Sequence, residues 1–341
     1  MEKKPLTSAA RPWTNKILLS LYGALTDFSR RSDGTVNRFL LNLLIPTINP
    51  PSKPVNGLRI SDIVVHSGRN LWFRLFVPTE ISIETKLPVV AFFHGGWFTF
   101  LSADTKQYDS LCRRLALEIP AVIVSVNYRL SPEFKCPAAY DDGFDCLKFI
   151  DRKSFDEFPE NADLSKLFLA GGTAGGNIAH NVARRVAERE GEFSELKVIG
   201  LIAIQPLFGG VERTESEIEL NGVKFTSFER SDWHWKAFLP EGADRDHEAA
   251  NVFGPKATDI SNLRGFPRTL LFIGGLDRLK DWQKRYYLGL KRCGKEVKLV
   301  EYPNGVYAFY AFPELPEASL FLSEVKDFIH SNCACNSNSG P

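Results

Sequence analysis

An apolar, strand-like run from Leu167 to Ala170 ends in Gly171-Gly172-Thr173-Ala174-Gly175-Gly176-Asn177, and a helix-like pattern begins directly after it. Small residues at that junction allow a sharp turn that lifts one side chain above a sheet at the mouth of a helix. The frame Gly-x-Ser-x-Gly is the usual form of such a nucleophile elbow, and its chemistry is acyl transfer. Here the central position is Thr173. Its β-branch restricts χ1, and a secondary hydroxyl is more hindered than that of serine.

Acyl transfer also needs N–H groups to receive the oxyanion, and an acid and a histidine later in the chain. The oxyanion segment is Phe92-Phe93-His94-Gly95-Gly96-Trp97-Phe98. Gly95 and Gly96 let backbone donors approach closely, and Ala174 supplies a further one; losing a single donor costs about 10²–10³ in rate. Trp97 stands where a third glycine is usual. The acid is Asp277 in Gly274-Gly275-Leu276-Asp277, with an N-capping role as the alternative and Asp281 as a weaker candidate. No histidine occurs between His247 and His330, and Tyr307 takes the place expected for it. A phenol is a donor near neutral pH and a poor base. Thr173, Asp277 and Tyr307 are therefore the catalytic candidates, and efficient ester hydrolysis is not expected of them.

The elements that position these residues alternate along the chain. Strands are predicted at 60–65, 71–77, 88–93, 121–127, 167–170, 198–205, 269–274 and 297–302, with helices at 104–118, 137–150, 175–190, 280–293 and 315–331. The first two strands alternate apolar and polar residues, and the others are continuously apolar, as strands covered on both faces are. Strands alternating with helices imply right-handed crossovers and a mostly parallel sheet. The outline is an α/β-hydrolase fold with eight strands. Residues 1–55 form an N-terminal lid or cap, with a helix at 13–30 stopped by Ser32-Asp33-Gly34 and an apolar run at 39–45. Residues 56–331 form the main domain, 207–265 a helical cap insertion, and 332–341 a disordered tail.

Composition narrows the function. Of 341 residues, 44% are hydrophobic and 24% charged, and the net charge of +1 provides no basic field for nucleic acid or a membrane surface. The six cysteines have no zinc-site or disulfide spacing, so no metal or cofactor is expected and a reducing compartment fits, cytoplasmic or also nuclear. The apolar stretch 16–25 lacks a cleavage site and is too short to span a bilayer. The partner is a small molecule. Trp97, Phe98, Tyr128, Phe208 and Tyr310 are the aromatic candidates for lining its pocket, with core packing as the alternative for each.

His94-Gly95-Gly96, the run from Ser125 to Glu133, the run from Pro137 to Gly143, the elbow, and Phe312-Pro313-Glu314-Leu315-Pro316-Glu317 resemble the plant carboxylesterase family. That family lies in the hormone-sensitive-lipase branch of α/β hydrolases and includes the gibberellin receptors. The resemblance extends from about residue 13 to 330. Esterases of the family read Gly-Asp-Ser-Ala-Gly-Gly at the elbow, so this chain departs at Gly172 and Thr173, and again at Trp97 and Tyr307. The receptors keep the serine, replace the histidine and fold an N-terminal helix over a bound hormone. Hydroxyisoflavanone dehydratases are similar in accepting threonine at the elbow, and the cyclases of monoterpene indole alkaloid biosynthesis in having tyrosine for histidine. The resemblance implies non-hydrolytic acid/base chemistry on a small hydrophobic or aromatic plant metabolite, of cyclase, dehydratase or lyase type. Its alternatives are a weak or decayed carboxylesterase, and a hormone-like receptor that would also engage a protein partner.

Overall fold

The computed structural model describes residues 13–153, 155–221 and 227–337. Its centre is an eight-stranded sheet in the order β1-β2-β4-β3-β5-β6-β7-β8. The antiparallel pair β1 (Leu58–His66) and β2 (Leu71–Pro78) starts the sheet, and β2 runs antiparallel to β4 (Val122–Asn127). From β4 onward the neighbours are parallel: β3 (Leu87–Phe93), β5 (Ala162–Gly172), β6 (Val198–Ile204), β7 (Arg268–Gly274) and β8 (Val297–Tyr302). Every predicted strand is present, extended by a few residues where the elbow strand β5 begins.

Helices cover both faces, which explains the apolar runs. One core lies under α4 (Ala138–Asp151), α5 (Ala174–Glu188) and α8 (Lys280–Arg292), where Leu147, Ile178, Val182 and Tyr286 meet Leu169, Leu201 and Leu271 of the sheet. The other lies under α3 (Lys106–Glu118) and α9 (Pro316–Ser337), where Leu111, Leu115, Phe321 and Val325 meet Phe92, Phe168 and Phe272. A fully buried side chain such as Phe168 contributes about 1.5–3 kcal/mol of transfer free energy.

Two expectations change here. The alternation of β2 suggested one solvated face, yet Arg74 is buried. Its guanidinium is held by Asp62 of β1 at 2.7 Å and Asp109 of α3 at 3.0 Å, so the polar position faces a helix rather than water. The expected tail from 332 is also helical as far as Ser337. Phe328, Ile329 and Asn332 are buried on its inner face, and Asn332 is tied to Arg268, so packing continues past the predicted end. Residues 338–341 lie outside the described residues.

The N-terminal segment forms α1 (Trp13–Ser29) and α2 (Arg38–Leu44). Between them Asp33 accepts from the Thr35 N–H at 2.9 Å, and Asn37 caps α2 through the Leu40 N–H. The interval 207–265 contributes α6 (Glu215–Glu219) and α7 (Phe228–Phe238), and its other described residues run as turns and loops. Among the described residues no helix is long and apolar enough to cross a membrane.

Candidate functional site

The elbow is built as its spacing predicts. Thr173 sits between β5 and α5 at φ 49°, ψ −114°, a strained conformation for a β-branched residue. The surroundings hold it there. Its N–H donates to Ile204 O at 2.9 Å, and its carbonyl accepts from Leu207 N at 2.8 Å as well as from Gly176 and Asn177. Asn177 ties the start of α5 to the insertion, donating to Leu207 O at 3.0 Å and Ala249 O at 2.7 Å and accepting from Tyr140 at 2.6 Å.

Over the elbow lies a cavity of about 80 Å³. Thr173, Tyr307, Tyr310, Tyr108, Trp97 and His234 border it, and Tyr22 and Thr26 of α1 close it from above. The chain thus brings together the elbow, the turn at Gly96-Trp97, the loop after β8, α7 and α1. Gly95 faces the same space: a β-carbon there would stand 2.5 Å from Thr173 Oγ1 and 2.6 Å from Tyr108 Oη. Among the described residues, the N–H groups of Gly96 and Ala174 donate to no backbone carbonyl, which leaves them available to an oxygen in the cavity.

Asp277 lies below the cavity, fully buried. Its Oδ2 accepts from Gln205 Nε2 and Gln283 Nε2, each at 2.9 Å, and its Oδ1 from the Leu279 N–H at 3.0 Å. Burial raises its pKa to about 6 against the pull of these three donors. Gln205 also donates to Val306 O at 3.0 Å and so pins the loop that carries Tyr307. Gln205 thus joins the acid to that loop.

Every titratable side chain bordering the elbow end of the cavity is held neutral near pH 7. Burial pushes the Tyr307 hydroxyl far up; the Thr173 hydroxyl and the Trp97 indole temper this, and the Asp277 charge adds to it. Tyr307 itself is half-buried. Burial likewise raises Tyr108 to about 12 and Tyr310 well above its ordinary value. His234, stacked on Trp97 at 5.0 Å with its Nδ1 2.9 Å from Thr99 Oγ1, is driven well below the usual histidine range by burial and by nearby arginines. The Thr173 hydroxyl and the Trp97 indole stand beside the Tyr307 hydroxyl, and the Tyr108 and Tyr310 hydroxyls beside each other.

Of the five aromatic pocket candidates, Trp97 and Tyr310 border the cavity. The other three belong elsewhere. Phe98 stacks on Phe238 of α7 at 3.6 Å, and Phe208 on Tyr286 of α8 at 4.4 Å. Tyr128 stacks on His94 at 4.2 Å and donates to His94 O at 2.8 Å, supporting the oxyanion turn from behind. Phe98 follows Trp97 with a second positive φ of 62°, and that twist turns its ring away from the cavity. The reading of residues in sequence missed Tyr22, Thr26, Gln107, Tyr108, Arg230 and His234 at the cavity, and the two glutamines on Asp277. No motif marks any of them. Among the described residues no group of three or more histidine, cysteine or carboxylate side chains is placed to hold a metal ion.

Residues 90–311 match the alpha/beta hydrolase fold. The gibberellin receptor GID1C of Arabidopsis thaliana is 39% identical over 334 residues, covering 94% of this chain and 95% of that one. The 2-hydroxyisoflavanone dehydratase of Glycyrrhiza echinata is 30% identical, covering 87% and 92%. Among solved structures, an esterase of Pyrobaculum calidifontis superposes with a TM-score of 0.71 at 27% identity, covering 94% and 98%. A receptor, a dehydratase and an esterase thus share this chain's architecture.

Proposed function

The chain belongs to the α/β-hydrolase fold family, and within it we propose a receptor-like member that binds a small metabolite under its N-terminal lid without hydrolysing an ester. The observation that carries this reading is the engagement of Asp277 by Gln205, Gln283 and the Leu279 N–H. With the acid spent on amides and Tyr307 kept protonated, no group at the elbow can take a proton from Thr173. What the cavity does offer is donors: the Trp97 indole, the hydroxyls and the N–H groups of Gly96 and Ala174. Such a set holds a carbonyl or carboxyl oxygen on an otherwise apolar molecule.

The lid supports binding with a second face. Its inner side is fixed by Arg230 of α7, which donates to Gly23 O, to Thr26 Oγ1 at 3.2 Å and to Asp27 Oδ2 at 3.2 Å. Its outer side exposes Leu21 (53%), Phe28 (79%), Phe39 (79%) and Leu43 (70%). Exposed large apolar side chains on α1 and α2 suit an interaction surface. A lid that closes on a ligand and presents this surface to a protein partner is what the resemblance to the gibberellin receptors implies.

The test is hydrogen exchange on α1 and α2 with a candidate metabolite, followed by recovery of that metabolite. Slowed exchange with the compound unchanged supports the reading. Consumption of the compound, or exchange that never responds to any bound compound, sinks it.

Non-hydrolytic catalysis of cyclase, dehydratase or lyase type is the second reading. It draws on the Thr173 hydroxyl beside Tyr307 and the available N–H donors, a site able to polarise a carbonyl and deliver a proton. A new mass appearing with the folded protein and not with Tyr307→Phe would favour it over the receptor reading.

A further inference from the structure

The cavity over the elbow is small for a site that holds a metabolite. Its volume is about 80 Å³. Pockets for drug-sized ligands enclose roughly 300–1,000 Å³, and an engineered cavity of ~150 Å³ holds benzene. The side chains that take up the difference can be named. Trp97 on the turn after β3 and His234 on α7 both border the space, and their rings stack at 5.0 Å with an interplanar angle of 18°. Phe100, also at the cavity, meets the imidazole edge-on at 5.4 Å.

The turn that carries Trp97 is fixed on several sides. A β-carbon on Gly96 would stand 2.1 Å from Phe100 O, and the N–H groups of Thr99 and Phe100 donate to Gly96 O at 3.0 and 2.9 Å. Trp97 is held there at φ 56°, a left-handed conformation that glycine adopts freely and other residues rarely. Such strain persists only where the surroundings over-determine it. Thr99 Oγ1 lies 2.9 Å from His234 Nδ1, Thr99 O accepts from Arg38 of α2, and Phe98 O accepts from Ser131 N at 2.9 Å. Moving the indole out of the cavity would give up its stack on His234.

We propose that Trp97 is the specificity-determining residue of this cavity and that it selects by size. With the indole stacked on His234, the space admits a short-chain carbonyl compound no larger than benzene, about three to six non-hydrogen atoms. Longer molecules meet the indole and overpack the site. This assignment rests on the binding reading above and adds the ligand's size class.

The experiment titrates straight-chain 2-alkanones, from acetone to 2-nonanone, into the full chain as wild type, Trp97→Gly and Trp97→Phe. Binding is read from the concentration dependence of amide exchange in residues 20–29 of α1. In the wild type, affinity should rise about fourfold per added methylene as far as 2-pentanone. It should then fall at least about tenfold by 2-heptanone, as overpacking sets in. In Trp97→Gly the rise should continue through 2-heptanone. Trp97→Phe should move the cut-off partway and serves if the glycine variant fails to fold. The readout is the selectivity between chain lengths, because a merely structural Trp97 would change the affinity for every ketone alike. Wild-type binding of 2-heptanone as tight as that of 2-pentanone overturns the size limit and leaves the binding reading standing. So does a cut-off unchanged in both variants, which would assign the limit to another wall. A wild type that responds to no chain length overturns the binding reading, and the size limit with it.

Discussion

A β-carbon on Gly172 would overlap the hydroxyl of Tyr310. The aspartate that esterases of this family carry at that position has been exchanged for open backbone, and a phenol from the loop after β8 fills the volume. The departure at Gly172 and the Tyr310 phenol are therefore one packing solution. Gly172→Asp should destabilise the fold by about 1–3 kcal/mol through overpacking, measurable by urea denaturation. Combining it with Tyr310→Ala should recover much of that loss. Equal stability of Gly172→Asp and wild type would refute the coupling.

Hydrolysis should be absent for want of a base. Thr173→Ser alone is expected to leave turnover of p-nitrophenyl acetate at background. Thr173→Ser with Tyr307→His should raise it about 10²-fold or more, since a positioned general base contributes that much. Adding Trp97→Gly should widen the range of acyl groups accepted, because the indole occupies the oxyanion side of the cavity. Wild-type turnover at serine-esterase rates would exclude the proposed function outright.

Asp277 gives the stability a pH dependence of definite sign. Its folded pKa of about 6 lies above its ordinary 3.8 because of burial, so the native state binds a proton that the unfolded chain releases. The group therefore destabilises the fold as pH rises from about 4 to 6, by roughly 3 kcal/mol if the full shift is realised. Asp277→Asn should flatten the stability profile across that window and raise stability at pH 7. Gln283, whose Oε1 has no partner, can rotate to accept from the new amide. The check is urea denaturation of both proteins between pH 4.5 and 7.5. A wild-type stability that climbs over this range relative to Asp277→Asn would contradict the sign.

Arg230 should decide whether α1 stays down. Its guanidinium is buried and bonded to Gly23, Thr26 and Asp27 on the lid. Arg230→Met keeps much of the side-chain volume and removes these bonds, so amide exchange across residues 20–29 should accelerate at least about tenfold while β5 and β6 remain protected. Unchanged exchange in α1 would show that apolar contacts alone hold the lid.

What the sequence determined by itself is what local constraints write into it. Periodicity placed all eight strands, since a strand covered on both faces has no polar position to spare. The small residues around Thr173 located the elbow, because only a tight strand-to-helix turn needs them, and the absence of a histidine on the loop after β8 removed the base. Tertiary structure decided which side chains share a space. Phe98, Tyr128 and Phe208 are as aromatic as Trp97 and Tyr310, but composition carries no direction, and backbone twist and helix packing sent their rings into the core. Tyr22, Gln107 and His234 come from α1, α3 and α7, and only the folding of lid and insertion over the sheet puts them around one cavity. The position of Asp277 was legible at a strand end; its commitment to Gln205 and Gln283 was not, because those partners reach it from two other elements by packing that no local pattern records.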